Sequence, residues 1–321
     1  MDYDFNTNIS SLINQFICRY PHVNLIVKSI ALNNTYYNYC ITEKDHNKIP
    51  FNKVNANFSG TGDLFAALFI KHAFLNEEQV KIAISKTAAY LSKLIAYNVY
   101  FDKESYDLSI LNSFSTTQTK GSLFYVVGPS GVGKDTLIDL AKKQLKNSNV
   151  IFAQRYITRD KNAGGEDHIA ISKKSFVEKT AQNFFSLWWQ SHDNFYGISS
   201  NINLLLENGF NVVVNGSRGY YEEAVKNYPD MKTILITAQE STIRTRLIKR
   251  NRENLEEIEK RIERSKYFQD NFRGKNIIVL SNDTALEVSG KAFIEILSKD
   301  YTSQKKELIM KQPILDQSKI I

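Results

Sequence analysis

The chain holds little cysteine: Cys18 and Cys40 are the only two in 321 residues. Two thiols cannot build a disulfide framework or a four-thiolate zinc site, and their rarity suits a reducing compartment. Proline is sparse too, at five residues, while hydrophobic and charged residues make up 42% and 23%. That composition packs into domains rather than staying disordered. No apolar run approaches the ~18 residues of a membrane span. The first ten residues are acidic and polar and lack the segments of a signal peptide. A cytoplasmic protein without a membrane partner is expected. The length fits about two domains at ~150 residues each. What the chain has in excess is positive charge, a net +7, which suits nucleic acid, a membrane surface or a phosphorylated small molecule.

Glycine is nearly absent from the first third. Gly60 and Gly62 are the only two of 14 before residue 121. Charge divides the same way, since residues 1–120 carry a net +1 and the remainder +6. A polar stretch, Ser113–Lys120, lies between the two parts and reads as a linker. The expected organisation is a first part over 1–112, a second domain over 121–300 and a polar tail over 301–321.

The second part opens with a short β-rich run, Ser122–Val127, then Gly128, Pro129, Ser130, Gly131, Val132, Gly133, Lys134, Asp135 and Thr136. Apolar residues at helical spacing follow from Leu137 to Leu145. Strand, glycine loop and helix in that order form a phosphate-binding loop. Glycines let consecutive N–H groups curl round a polyphosphate, the helix start adds its dipole, and a lysine reaches the β- and γ-phosphates. The residue after such a lysine is normally Ser or Thr, whose hydroxyl ligates Mg²⁺. Here it is Asp135, with Thr136 next. Asp135 either serves magnesium, directly or through water, or only complements the helix dipole. The strand at Asn211–Asn215 ends in no acidic residue, which favours the metal role.

Further strands are expected at Val150–Tyr156, Phe185–Gln190, Lys232–Thr237 and Asn276–Leu280. Helices are expected at Ser200–Asn208, Tyr220–Asn227, Glu240–Lys249, Leu255–Tyr267 and Leu286–Leu297. Alternation of this kind predicts an α/β fold with a parallel sheet, helices on both faces and ligands at the C-terminal strand ends. Arg155 and Arg159 follow the second strand. Arg244, Arg246, Lys249, Arg250, Arg252, Arg261 and Arg264 lie in a charged helical pair with interleaved Glu256, Glu257, Glu259 and Glu263. Arg264 reads as part of a solvated face. Arg250, Arg252 and Arg261 read as a lid closing on phosphates.

Residues 122–298 resemble the guanylate kinase-like P-loop kinases. The segments that carry the resemblance are GPSGVGKDT at 128–136, RYITR at 155–159, GEDHIAIS at 165–172, LWWQSHDNFYGI at 187–198, VVVNGSR at 212–218 and RLIKRNRENLEEIEKRIERS at 246–265. Within that family they are most similar to the ribose 1,5-bisphosphate phosphokinases. The resemblance implies ATP and Mg²⁺ as cofactors and a phosphorylated sugar as acceptor. The product would be 5-phosphoribosyl diphosphate, in phosphonate use through the carbon–phosphorus lyase pathway. It implies catalytic roles for Lys134, Arg159 and Arg250, and ATP contacts from the loop with Arg246 and Arg250. Acceptor contacts would come from Arg155, Arg159, His168, Gln190, His192, Tyr196, Asn215, Arg218 and Arg261, with magnesium at Asp135 and Thr136. Guanylate kinase itself is the alternative. Against it, the second phosphate-holding Arg falls on Asn162, His168 stands near the expected Tyr, and the guanine-reading Glu falls on Leu187. An apolar side chain cannot pair with the guanine edge. Trp188, Trp189, Gln190, His192 and Tyr196 offer stacking surface and donors instead, with one of the two tryptophans read as core packing and His168 and His192 as either phosphate ligands or local hydrogen-bonding residues.

In the first part, Gly60-Thr61-Gly62-Asp63 precedes an apolar helix from Leu64 to Ile70. A glycine turn at a helix start makes an anion hole where Asp63 could take a hydroxyl proton, or it is a plain helix cap. FSGTGDLFAALFI at 58–70 resembles the C-terminal part of pyridoxal kinases of the ribokinase type, where that Asp is the base. Residues 10–112 cover about the last third of such a kinase. The expectation is a partial ribokinase-like fragment with Gly60, Gly62 and Asp63 as vestigial motif, serving packing or homo-oligomerisation because a cut sheet needs a covering partner. Two non-enzyme alternatives are weaker. The charge gathers round loop elements rather than in aromatic-interleaved nucleic-acid patches, and an inactive scaffold would be expected to lose Lys134.

Overall fold

The computed structural model describes residues 5–299 except 34, 43–45, 57, 114–119, 161–167, 192, 251–253 and 275, and of 5–10, 112, 113 and 250 only the backbone. The expected C-terminal tail and most of the expected linker thus lie outside the described residues. The chain divides into two compact units, Met1–Gln118 with Asn203–Gly209, and Thr119–Ile202 with Phe210–Ile321. Among the described residues no helix is long and apolar enough to cross a membrane.

The first unit begins with helix α1 (Phe5–Arg19) and an antiparallel meander of β1 (Leu25–Leu32), β2 (Thr35–Ile41) and β3 (His46–Phe51). Helix α2 (Thr61–Ile70) runs into a π-helical turn at Lys71–Leu75, and α3 (Val80–Tyr100) follows. The period of two along β2 fills both faces of the sheet. Tyr39 and Ile41 pack with Ile13 of α1, while Cys40 packs with Phe65 of α2 and Ile84 of α3. A third cluster joins Val54, Ile95 and Ala96, with Leu204 packed against it.

The second unit starts at β4 (Leu123–Val127), every residue of which is buried. Helix α4 (Lys134–Gln144) follows, then β5 (Val150–Phe152), β6 (Arg155–Ile157), β7 (Ile169–Ala170) and α5 (Lys173–Ala181). Next come β8 (Phe185–Ser191), β9 (Asn194–Ser199), the short α6 (Ile202–Glu207) and β10 (Asn211–Asn215). Helix α7 (Tyr221–Asn227), β11 (Lys232–Thr237), α8 (Glu240–Arg250), α9 (Leu255–Asn271), β12 (Ile277–Ser281) and α10 (Leu286–Ser298) complete it. Residues 203–209, which hold most of α6, group with the first unit.

The order β12-β11-β4-β10-β5 forms a five-stranded parallel sheet with β4 at its centre. Helices cover such a sheet on both faces, so its central strand can be apolar throughout. Phe124 and Val126 pack with Leu137 and Ala141 of α4, Ile243 of α8, Ile258 of α9 and Phe293 of α10. Two expectations change here. The single strand expected over Val150–Tyr156 is two, because β5 ends after pairing with β10 while β6 turns into a second sheet. That sheet, β7-β6-β9-β8, is mostly antiparallel and takes β8 out of the expected parallel array. An apolar run looks the same whichever sheet it joins, and β7, α5 and β9 were not foreseen.

Candidate active site

The loop Gly128–Gly133 leaves β4 at the centre of the parallel sheet, where strand C-termini gather ligands. A side chain at Gly128 would meet the Ile236 carbonyl oxygen at 2.8 Å. Gly133 starts α4 with φ 85°, and no side chain caps the helix. Its first-turn N–H groups therefore remain available to an anion, as helix starts require when they bind phosphate.

Four polar residues converge beside the loop. The Lys134 ammonium donates to Asn215 Oδ1 at the end of β10 and lies 3.4 Å from Asp135 Oδ1. Asn215 Nδ2 donates to Asp135 Oδ1 at 3.0 Å, and Arg155 donates to the Asn215 carbonyl at 3.2 Å. Burial pushes the Lys134 ammonium down to about 8 and the Arg155 guanidinium down to about 10, with Asp135 opposing both shifts. For Asp135, desolvation in the cleft works upward, but Lys134, the Asn215 amide and Arg155 outweigh it and hold the carboxyl below its ordinary value. The site is poised to take an anion, since each cation would regain favourable charge contact from one.

On the far side of the loop, Arg246 donates to the Val132 carbonyl at 2.9 Å and the Asn282 carbonyl at 2.8 Å. The Asn282 amide donates to the same Val132 oxygen at 2.6 Å. Gly133, Thr136, Arg246, Lys249, Asn282 and Leu286 line a hollow of about 430 Å³ there. Arg261 of α9 donates to the Ser130 hydroxyl at 2.8 Å. The neighbouring charges pair as a solvated face would, with Arg244 on Glu259 and Lys260 on Glu256 at 2.6 Å. Arg264 bonds the Lys260 carbonyl. Arg252, His192 and Asn162, and the Arg250 side chain, lie outside the described residues.

A second hollow of about 510 Å³ is lined by Trp188, Trp189, Gln190, Ser217, Tyr220 and Glu223, among others. Trp189 is buried and lies parallel to Tyr196, centroids 5.6 Å apart, with Tyr220 at 5.7 Å on it. The Arg155 guanidinium sits 5.7 Å from the Tyr196 ring centre, so one column of rings ties Arg155 to this hollow. His168 is buried with Nε2 3.1 Å from the Arg159 carbonyl, a contact that holds the main chain at Arg159. Arg218 stacks over Phe268 at 4.9 Å, and burial lowers its guanidinium, helped by Arg264. Lys134, Asp135, Asn215 and Arg155 are thus brought together, whereas Thr136 and Arg246 face the first hollow and Gln190 lines the second.

Sequence reading missed Asn282 and Tyr220. The available signal for Asn282 was its place in Ser281-Asn282-Asp283, directly after a strand of the parallel sheet. Tyr220 carried none. Asp135 fits magnesium as its chemistry demands, a hard carboxylate oxygen beside Lys134, whereas Thr136, expected to share the ion, lines the hollow on the far side of the loop. Gly60 starts α2 in the same left-handed conformation, φ 77°, with Asp63 exposed in the first turn.

Comparison with known proteins places the second unit. Over 179 residues the chain is 42% identical to the ribose 1,5-bisphosphate phosphokinase PhnN of Psychromonas ingrahamii, covering 56% of this chain and 91% of that protein. The like-named protein of Thiobacillus denitrificans is 41% identical over 181 residues, 56% of this chain and 94% of that one. A crystal structure of guanylate kinase from Anaplasma phagocytophilum aligns over 56% of this chain and 86% of its own, at 14% identity and TM-score 0.41. Residues 120–299, more than half the chain, match the family model described as guanylate kinase, and the chain belongs to that family.

Proposed function

We propose that the chain transfers the γ-phosphoryl group of ATP to the 1-phosphate of ribose 1,5-bisphosphate, giving 5-phosphoribosyl diphosphate and ADP. The observation that carries this is the pair of relatives so named, matched at 41–42% identity over more than nine-tenths of their length. An oxygen of the 1-phosphate forms the new bond to the γ-phosphorus, and the bond from that phosphorus to the β,γ-bridging oxygen breaks, the electron pair leaving with ADP. The attacking oxygen is already anionic, so no base is needed, and the protein's task is positioning and charge stabilisation. Lys134 and the N–H groups of the loop and of α4 hold the transferring phosphates. Arg155 and Arg159 take the acceptor's phosphates, with Arg218, Arg250 and Arg261 closing the site and Arg246 flanking the donor. Asp135 would hold magnesium together with the phosphates, with Thr136 across the loop from it, and the ion would supply charge neutralisation for the transferring group. The reaction takes place in the cytoplasm on a small phosphorylated sugar.

Leu187, fully buried on β8, offers no acceptor to a guanine edge, which weighs against GMP. The test is an assay with ATP and magnesium offering ribose 1,5-bisphosphate, GMP and pyridoxal in parallel. Ribose 1,5-bisphosphate is expected to be the efficient acceptor. Arg159→Ala should lower its catalytic efficiency at least about thirtyfold, as losing a buried arginine–phosphate contact costs on the order of 2–5 kcal/mol. GMP turnover exceeding that of the sugar would make the chain a guanylate kinase. Residues 10–112 we read as a remnant of a pyridoxal kinase of ribokinase type, supported by the glycine turn before α2, and pyridoxal is expected to remain unphosphorylated.

A further inference from the structure

We propose that the carboxylate serving magnesium in this site has moved from the end of β10 to the first turn of α4, with Asn215 as the positioning residue that orients it. The proposal rests on the ATP half of the proposed function and not on the identity of the acceptor. Phosphate-loop enzymes commonly hold Mg²⁺ through the hydroxyl after the loop lysine and an Asp on a neighbouring strand. Here both positions are exchanged in kind: Asp135 follows Lys134, and β10 ends in Asn215.

The two exchanged residues meet. Asn215 Nδ2 donates to Asp135 Oδ1 at 3.0 Å while its Oδ1 accepts from Lys134. An amide can do both at once. An Asp at 215 could still accept from Lys134, but it would set a second negative charge against Asp135 and have no N–H to give it. Asn215 is buried, so its amide is fixed, whereas the Asp135 side chain is 65% exposed. Asp135 Oδ1 carries the contacts to Asn215 and Lys134, and Oδ2 accepts no hydrogen bond among the described residues. One carboxylate oxygen is thereby anchored, and the other has no hydrogen-bond donor among the described residues. Among the described residues no three His, Cys, Asp or Glu side chains form a metal-holding group. Mg²⁺ is usually held by only one or two carboxylates together with substrate phosphates.

The experiment titrates Mn²⁺, as a paramagnetic stand-in for Mg²⁺, into the full-length protein saturated with ATP and reads free Mn²⁺ by its spin-resonance signal, with no acceptor present. Asp135→Asn should weaken Mn²⁺ binding to the enzyme–ATP complex at least about tenfold, the range for lost metal-site partners. The reciprocal Asp135→Asn/Asn215→Asp variant should bring affinity back to within about threefold of wild type. Thermal midpoints report folding. Asp135→Ser/Asn215→Asp, with the carboxylate on β10 and a hydroxyl after the lysine, takes the place of the reciprocal variant if that one unfolds. Unchanged Mn²⁺ affinity in Asp135→Asn, or an exchange that fails to restore it, overturns the proposal. Failure of the sugar as acceptor would leave these titrations unaffected, so the two readings fail separately.

Discussion

Both units of this chain begin a helix on a left-handed glycine with no side-chain cap and an aspartate in the first turn: Gly60 and Asp63 at α2, Gly133 and Asp135 at α4. Read as local backbone, the two starts are nearly equivalent anion holes. Their surroundings differ. The α4 turn leaves the central strand of a parallel sheet, and Lys134, Arg155, Arg246 and Arg261 reach its loop or the residues beside it. The α2 turn follows an irregular stretch after an antiparallel meander. The Thr61 hydroxyl there is used on the Phe58 carbonyl and Tyr106, both at 2.7 Å, and the Lys28 ammonium near Gly62 lies over the Phe65 ring. A glycine turn supplies N–H groups. A phosphoryl-transfer site also needs cations fixed by the rest of the fold.

The comparison breaks most sharply at Lys134. Lys134→Ala should lower kcat on the order of 10²–10³-fold or more, the range for removing one preorganised charge partner from a transition state. Single-turnover measurement with ATP and the sugar bisphosphate checks it, with circular dichroism confirming the fold. Activity within a few-fold of wild type would mean the loop at 128–134 does not hold the reacting phosphates. A smaller effect follows from the lysine's environment. Its ammonium is pushed down to about 8 by burial, so the free enzyme loses that charge as pH rises through 8. The ratio kcat/KM for ATP should therefore fall above that point, approaching tenfold per pH unit. Bound polyphosphate favours the charged form, so kcat itself should hold to higher pH. A flat kcat/KM to pH 9.5 would show that Lys134 stays charged in the free enzyme.

The loop was legible in the sequence because strand, glycines, lysine and helix are contiguous, and each has a physical reason to sit where it does. The strands and helices of the parallel sheet were legible for the same reason: the periodicity that marks β11 or α9 is local. The second sheet was not. Whether β6 extends β5 or turns to pair with β9 is decided by partners some forty residues away, and residues 155–157 carry no mark of it. Asn215 is the instructive case. Its position at a strand end could be read as a missing acid, but the contact that joins it to Asp135 spans 80 residues. Spacing along the chain can bring out the oddity at each position, while the pairing of the two exists only in the fold.

The smallest expected effect sharpens the comparison from the other side. Asp63 is exposed in the first turn of α2, where a carboxylate complements the helix dipole. That interaction contributes about 0.3–1 kcal/mol at an exposed site. Asp63→Ala in the full chain should thus lower the thermal midpoint by a few degrees at most. It should also leave kcat and KM for both ATP and the sugar bisphosphate within about twofold, since surface substitutions away from a site act within about 0.5 kcal/mol. Steady-state curves for the variant and wild type, run side by side, check this. A loss above about tenfold in kcat, with the midpoint unmoved, would show that the second glycine turn takes part in chemistry after all. The difference between the two turns would then lie in substrate, and not in whether a site is present.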